Sequence, residues 1–590
     1  LDRQILQNNL YGVDLNEEAI EICRLSLWIK TAQRGKPLTS LDHTIRVGNS
    51  VVSDQAVHPR AFDWQTAFPE IFERGGFDVV VGNPPYVRQE WISPYKPYFQ
   101  QSYRTYHGTA DLYVYFYELG IRLLKPGGRL SFIVTNKWLR AGYGEPLRRF
   151  FAENAWLESV IDFGHAKQIF EDADVFPSII VARKPTTEPA PETTRVCAIP
   201  RDQLRINDLA GQISSDGFDV SRGRLGHEAW SLEPRAVHDL LKKIRANGVP
   251  IAEFGGVKPF YGVKTGLNDA FLIDTATKNA LLSEDPRCGE LIKPYLRGQD
   301  IKRWFPEWAE LWMIFTRRGT DIDTYPTIKR HLSKFRERLE PKPKGWSGGE
   351  WRGRKPGTYQ WFETQDPVEY WRLFEKPKLV YQDITWRANF CLDTGGTFSN
   401  NTVYFLPTAD LWILAVLNSP IGWWFAWREA QHGKDEALRY FNTFVEGFPI
   451  PKPSDAQREG CDAHVTRLIE LFKAQQQTVR DILDWLKVEH EILEPTTKLQ
   501  GPIHLGSDDF VAEVKKIRGK KKPLSLAALR SLREEHERTI LPAQTLAREA
   551  QGLEGKLSDL VNAAYDLTPE EVRLMWETAP PRMPIVPPLA

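Results

Sequence analysis

Cysteine is scarce in this chain: five residues in 590, at Cys23, Cys197, Cys288, Cys391 and Cys461, with no CxxC pair among them. Such spacing supports neither a disulfide framework nor a thiolate zinc site, and it fits a reducing, cytoplasmic setting. A long apolar run is also missing. The most apolar long stretch, Leu411 to Trp427, is interrupted by Asn418, Ser419 and Pro420 and makes a poor membrane span. No charged-then-apolar signal peptide is present. Nor is there a surplus of either charge: Lys+Arg and Asp+Glu are 77 each, so a polyanionic partner must be met by a local patch. What the chain does have is bulk. A hydrophobic fraction of 42% and a charged fraction of 26% are those of a globular protein with large cores, and 590 residues predict roughly three or four domains.

The first third alternates strand-like and helix-like segments. Tyr11 to Leu15 read as a short buried strand, and NEEAIEICRLSLWIKTAQ follows with Ile20, Cys23, Leu27 and Thr31 at helical spacing and Asn16 as N-cap. TIRVGNS (44–50) and FDVVVG (77–82) are the next strands. DLYVYFYELGIRLLK places Leu112, Phe116, Leu119 and Leu123 on one helical face, and Gly127 and Gly128 are expected to stop that helix before the strand RLSFIVTN. A polar helix around Glu145 to Asn154, then WLESVIDFG and PSIIVARK, continue the pattern. Continuous apolar strands alternating with helices predict an α/β fold with a mostly parallel sheet covered on both faces. Ligands bind such sheets beyond the carboxyl ends of the strands, where Asp14, Asn49 and Asn83 are expected to share a rim.

The string Asn83-Pro84-Pro85-Tyr86 closes the third strand. Two prolines end sheet pairing and stiffen the turn, so a rigid strand-ending turn is one reading. The four residues together suggest more. Asn83 offers a side-chain carbonyl, Pro84 a peptide carbonyl with no ladder or helix partner, and Tyr86 a flat apolar face. These suit an exocyclic amine on an aromatic base: two acceptors on its N–H bonds favour a tetrahedral nitrogen with its lone pair free, and stacking fixes the plane.

The motif resembles that of amino-group S-adenosylmethionine-dependent methyltransferases, most often those acting on adenine N6 in DNA. The resemblance implies a Rossmann-like methyltransferase sheet, with Asn83, Pro84, Pro85 and Tyr86 catalytic. It also implies that Asp14, with Leu15, meets the cofactor ribose and that Asn49 and Ser50 meet the cofactor adenine. DVFPSIIVARK (174–184) resembles the motif whose Phe, here Phe176, packs on the flipped base opposite Tyr86; an ordinary core aromatic is the plainer reading. A base inside a duplex must swing out to react, at a cost of roughly a few kcal/mol that stacking offsets. The glycine-rich loop for the methionine end of the cofactor should precede Asp14 by about 20 residues or more. Only thirteen residues precede Asp14 and none forms a GxG, so the strand and loop are expected upstream of Leu1, leaving this chain alone a weak binder of the cofactor.

Beyond a Pro-rich stretch at 186–194, the composition changes near Pro250. VKPFYGVKTGLNDAFLI, LIKPYLRGQDIKRW, EKPKLVYQDI, LAVLNSPIGWWF and FNTFVEGFPIPKP resemble, in order, the target-recognition domain of TaqI-like methyltransferases and of single-chain type IIG restriction-modification enzymes. Within it KGWSGGEWRGRKPGTYQWFE interleaves aromatics with Arg352, Arg354 and Lys355, candidates for DNA contact, as well as for plain solvated surface. From Asp455 the helical rhythm returns, with Val465, Leu468, Phe472, Val479, Ile482 and Leu486 as one stripe. KKIRGKKKP (515–523) is a basic run suited to a DNA backbone or to a solvated loop. The expected organisation is a catalytic domain at 1–190 lacking its first cofactor-binding motif, a connecting segment at 191–249, a mixed α+β domain at 250–455 for target recognition on double-stranded DNA, and a helical C-terminal region at 456–590. The expected activity is sequence-specific adenine-N6 methylation in a restriction-modification or phage-defence system. A nuclease, if any, is expected upstream, because no PD…(D/E)xK pattern is evident. A recognition component without methylation, and an amino-methyltransferase acting on RNA or protein, remain alternatives. No metal is implied.

Overall fold

The computed structural model describes residues 2–32, 40–164, 166, 168–170, 175–199, 203–519 and 524–586. The chain divides into two compact units, Leu1–His238 and Asp239–Ala590.

In the first unit Gly12–Asp14 (β1) and Ile45–Val47 (β2) pair in parallel, with Asp14 opposite Val47. Glu17–Thr31 (α1) joins them, and Asn16 caps it as predicted, its side chain accepting the Ala19 N–H. Of the expected stripe only Ile20 is buried, whereas Cys23 is exposed and Ile22, Leu25 and Ile29 face solvent.

A separate six-stranded sheet holds Phe77–Gly82 (β3), Leu124–Thr135 (β4), Trp156–Asp162 (β5), Pro177–Arg183 (β6), Thr193–Ala198 (β7) and Phe218–Ser221 (β8), in the order β3-β4-β6-β5-β7-β8. The expectation of a mostly parallel sheet is corrected. β3–β4 and β5–β7 run parallel, but β6 is antiparallel to both its neighbours and β8 to β7. The connections explain this. β3 reaches β4 through the crossover helix Tyr113–Leu123 (α2), whereas no helix joins β5 to β6 among the described residues and the chain simply reverses. Glu145–Asn154 (α3) is the polar helix the sequence predicts.

Two boundaries also move. α2 ends at Leu123, so Gly127 and Gly128 lie inside β4 instead of stopping the helix. A Cβ on Gly128 would stand 2.8 Å from the Phe77 carbonyl oxygen, so glycine there permits the close approach of β3. The stretch 191–249 does more than connect, since it supplies β7 and β8. The core lies under β4, β5 and β6, where Leu130, Val134, Val160 and Ile180 pack with Tyr113, Tyr117, Trp138 and Phe151.

The second unit contains two four-stranded sheets. One orders Phe260–Tyr261, Val403–Leu406, Lys378–Gln382 and Cys391–Asp393, all antiparallel. The other orders Leu272–Ile273, Trp312–Ile314, Ile292–Leu296 and Phe398–Ser399. The apolar stretch near 411 is two buried helices, Leu411–Asn418 (α4) and Pro420–Glu429 (α5), parted at Ser419, whose hydroxyl accepts the Gly422 N–H. Among the described residues no helix is long and apolar enough to cross a membrane. Asp455–His490 (α6) packs along Leu541–Ala564 (α7). Val465, Leu468, Ile482 and Leu486 are buried as predicted, but Leu471 and Gln475 take the inward positions mid-helix while Phe472 and Val479 are half-buried. The predicted stripe repeats nearly every 3.5 residues, and a straight helix drifts away from that spacing over several turns.

Candidate active site

The rim at the carboxyl ends of β1 and β2 gathers the first set of candidates. Asp14 ends β1 and is exposed; its Oδ1 accepts the Asn16 N–H at 2.7 Å, and its backbone oxygen accepts the Gly48 N–H at 2.9 Å. Its second carboxylate oxygen carries no hydrogen bond among the described residues. Leu15 beside it is 46% exposed. Asn49 is half-buried, its Oδ1 accepting the Val51 N–H at 3.3 Å, and the Ser50 carbonyl accepts the Trp64 indole N–H at 3.1 Å. Gly48 must be glycine, because a Cβ would meet the Phe62 ring at 2.5 Å. The structure thus sets Asp14 next to the 48–50 turn.

Asn83-Pro84-Pro85-Tyr86 leaves the end of β3. Asn83 is exposed and its amide is engaged by no described residue. Pro84 is buried, and its carbonyl accepts no backbone hydrogen bond among the described residues. Pro85 is exposed. Tyr86 is half-buried: its hydroxyl donates to the Ile133 carbonyl of β4 at 3.4 Å, and burial raises its phenol above the ordinary value. The Tyr86 ring meets Tyr113 and Phe170 edge-on, each at 6.5 Å between centroids.

Phe170 is a residue that sequence reasoning missed. Its only signal was an aromatic in an unpatterned QIF between two strands. Phe176, which was expected opposite Tyr86, is buried at 8% exposure at the start of β6, and its carbonyl accepts the Asn136 N–H at 2.7 Å. Asp174 of the DVFP motif lies outside the described residues. Two more polar groups stand on this rim unforeseen. Asn136 follows β4 and Asp162 ends β5; the Asn136 amide donates to Asp162 Oδ1 at 2.8 Å, and the Gly164 N–H donates to the same oxygen at 2.9 Å. Burial raises the Asp162 carboxyl above its ordinary range, against the pull of those two donors and of Arg140.

β1 and β3 approach at their starts, where Tyr11 lies edge-on to Phe77 at 5.5 Å, but no ladder joins them among the described residues. The β3 edge away from β4 is therefore unpaired, with Val79 and Val81 59% and 71% exposed. Phe77 through Val81 is an apolar strand with a bare side.

In the second unit, the basic cluster separates into two kinds. The Arg352 side chain is 83% exposed, and Lys355 is exposed as well. Arg354 is corrected as a DNA-contact candidate: it is 4% exposed and donates to the carbonyls of Leu339, Thr265, Glu363, Gln360 and Trp361. Burial pulls its pKa down to about 10, and its guanidinium lies over the Tyr359 ring. Such an arginine staples loops together and has no donor left for a phosphate. Of the basic run at 515–523, residues 520–523 lie outside the described residues.

Comparison with known proteins agrees with this division. Residues 8–170 match the Eco57I restriction-modification methylase family, 293–450 the TaqI-like C-terminal specificity domain, and 454–561 a domain of unknown function. The chain is 27% identical to the type II methyltransferase M.PaeR7I of Pseudomonas aeruginosa over 67% of its own length and 69% of that protein's. It is 28% identical to M.XhoI of Xanthomonas vasicola over 58% of this chain and 62% of that one. A solved structure of the type IIL restriction-modification enzyme MmeI in complex with DNA shares the fold, with a TM-score of 0.53 at 14% identity over 96% of this chain and 65% of that chain. The match thus spans about two thirds of the length of these proteins. Residues 8–170 are similar to the Eco57I restriction-modification methylases, and residues 293–450 to the TaqI-like C-terminal specificity domain.

Proposed function

We propose that the chain is the methyltransferase and recognition part of a DNA-modifying enzyme of a restriction-modification system, transferring a methyl group to adenine N6 in duplex DNA. The observation that carries this reading is the pair of unengaged acceptors at the end of β3. Asn83 is exposed and the Pro84 carbonyl accepts no backbone hydrogen bond among the described residues, three and two residues before the half-buried Tyr86. Asn83 Oδ1 and the Pro84 carbonyl would each accept one N–H of the adenine amine, which withdraws the lone pair from the ring and frees it for attack. Tyr86 would hold the plane of the flipped base by stacking.

The cofactor that fits is S-adenosylmethionine, which supplies an electrophilic methyl group when bound. The open Asp14 carboxylate oxygen suits the two ribose hydroxyls, and the turn at Asn49 and Ser50 lies where the cofactor adenine would rest. Nothing among the described residues receives the methionine end. The bare edge of β3 supports a further strand, outside these residues, whose glycine-rich loop completes that part of the site. The names and DNA-bound state of the relatives support a DNA substrate, with the TaqI-like unit reading its sequence through exposed groups such as Arg352 and Lys355.

The test is methyl transfer from tritiated S-adenosylmethionine by the protein to plasmid DNA, to RNA and to protein extract, with Asn83→Ala as control. Label in DNA alone, lost in the variant, supports the reading. Label in RNA or protein, or none in DNA despite cofactor binding, would sink it.

A further inference from the structure

Just ahead of α2 the chain returns to the segment that follows Asn83-Pro84-Pro85 and takes hold of it. The Gln89 N–H donates to Asp111 Oδ1 at 3.0 Å, and the Leu112 N–H donates to the Val87 carbonyl at 3.0 Å. Tyr113, the first residue of α2, is fully buried, and its ring meets that of Tyr86 at 6.5 Å between centroids with 80° between the planes. Asp111, Leu112 and Tyr113 thus each engage a different residue between Tyr86 and Gln89.

The Asp111 contact is not one that its own helix asks for. An aspartate ahead of a helix ordinarily accepts an N–H of the first turn, but the N-cap of α2 is Leu112 and no side chain caps it. The carboxylate reaches instead to a residue 22 positions earlier. It is half-buried there, and burial, with a smaller push from Glu90, raises it above the ordinary carboxyl range against the pull of the Gln89 N–H, Lys137 and Arg88.

Tyr113 completes the restraint. The Tyr86 hydroxyl donates to the Ile133 carbonyl at 3.4 Å, which holds the far end of the ring but leaves the ring free to rotate about its own long axis. A second ring set against its edge removes that freedom. Tyr113 can serve because it is itself fixed: its hydroxyl lies 2.9 Å from the Tyr143 hydroxyl in a hydrogen bond. Burial raises both phenols, Tyr143 up to about 12, so neither ionises near neutral pH.

We propose that Asp111 and Tyr113 are positioning residues that set the plane of the Tyr86 ring, and with it the plane in which an adenine stacked on Tyr86 presents its amine to Asn83 and Pro84. The inference rests on the proposed function and deepens it: both residues act on the reaction through Tyr86, not by contact with the amine.

The experiment takes two readouts on the protein: methyl transfer to plasmid DNA, and the fluorine resonance of a fluorotyrosine placed at position 86, recorded without DNA. Asp111→Ala is expected to shift or broaden the resonance and to lower kcat about 10–100-fold while KM for DNA stays within about twofold, as when a reacting group is misplaced. Asp111→Asn keeps an acceptor for the Gln89 N–H and should recover most of both losses. Tyr113→Leu should act in the same direction as Asp111→Ala, and Tyr113→Phe, which keeps the ring, should recover most of its loss. If Tyr113→Leu fails to fold, the two Asp111 variants decide alone.

The readouts separate the two claims. A wild type that methylates no DNA sinks the proposed function, and the catalytic role given to these residues with it. A resonance in Asp111→Ala identical to that of the wild type overturns the positioning by itself, as does a wild-type kcat in that variant. Asp111→Asn that melts like the wild type yet stays as slow as Asp111→Ala also overturns it, because the working feature would then be the charge of the carboxylate and not its hold on Gln89.

Discussion

The strand Phe77–Gly82 in the first unit and Lys378–Gln382 in the second carry the same kind of sequence, FDVVVG against KLVYQ, and end in opposite environments. Lys378–Gln382 lies between two partner strands, and its residues from Lys378 to Tyr381 are buried, the lysine ammonium included, which pairs with Asp393 and the Phe374 carbonyl. Phe77–Gly82 has one partner among the described residues and leaves Val79 and Val81 largely exposed. An apolar run thus measures how much surface a strand offers for burial, and its neighbours decide whether burial happens. The contrast has a functional side. The strand that ends in Asn83-Pro84-Pro85-Tyr86 is the one with an unpaired edge among these two, so the catalytic candidates follow a strand with one partner among the described residues.

Several changes would break or sharpen this contrast. The largest effect is expected from Asn83→Ala, which removes an acceptor from the amine and should lower methyl transfer by about 100-fold or more with little change in melting temperature. Retained transfer would move the chemistry elsewhere. In the closed unit, Arg354→Met leaves the carbonyls of Leu339, Thr265, Glu363, Gln360 and Trp361 without their donor and should cost about 3 kcal/mol in urea unfolding, without a specific effect on DNA affinity. Val380→Ala in the central buried strand should cost about 2 kcal/mol by the same measurement. Val81→Lys, on the open edge, should change the stability of this chain by less than about 0.5 kcal/mol and reduce its light scattering. A loss of several times that would mark the edge as covered. The smallest effect is Arg352→Ala: stability unchanged, DNA affinity down a few-fold, and a salt dependence shallower by about one counterion.

How far the sequence could be read is visible in these same residues. The strand-helix alternation, the Asn16 cap and the turn at Asn83 are local properties, set by spacing and by the chemistry of proline and asparagine, and they reappear as expected. The direction of β6 was not legible, because it depends on the connection after Asp162, which carries no helical pattern. Arg352 and Arg354 are two residues apart in one basic, aromatic stretch, and only tertiary carbonyls from distant segments send one inward. Phe170 escaped notice for the complementary reason: it belongs to no periodic element, and its edge-on contact with Tyr86 joins segments far apart in the sequence. Motifs on strand ends are written locally, whereas the partners of those motifs are written in the pairing of the sheet.

The most direct test of the central claim maps the modified base itself. DNA from cells expressing the protein, wild type or Asn83→Ala, would be read by single-molecule sequencing. N6-methyladenine at one recurrent sequence in the wild type, absent in the variant, is the result expected if Asn83 and Pro84 hold an adenine amine. Methylation at cytosine, or N6-methyladenine that persists at full level in the variant, would contradict it.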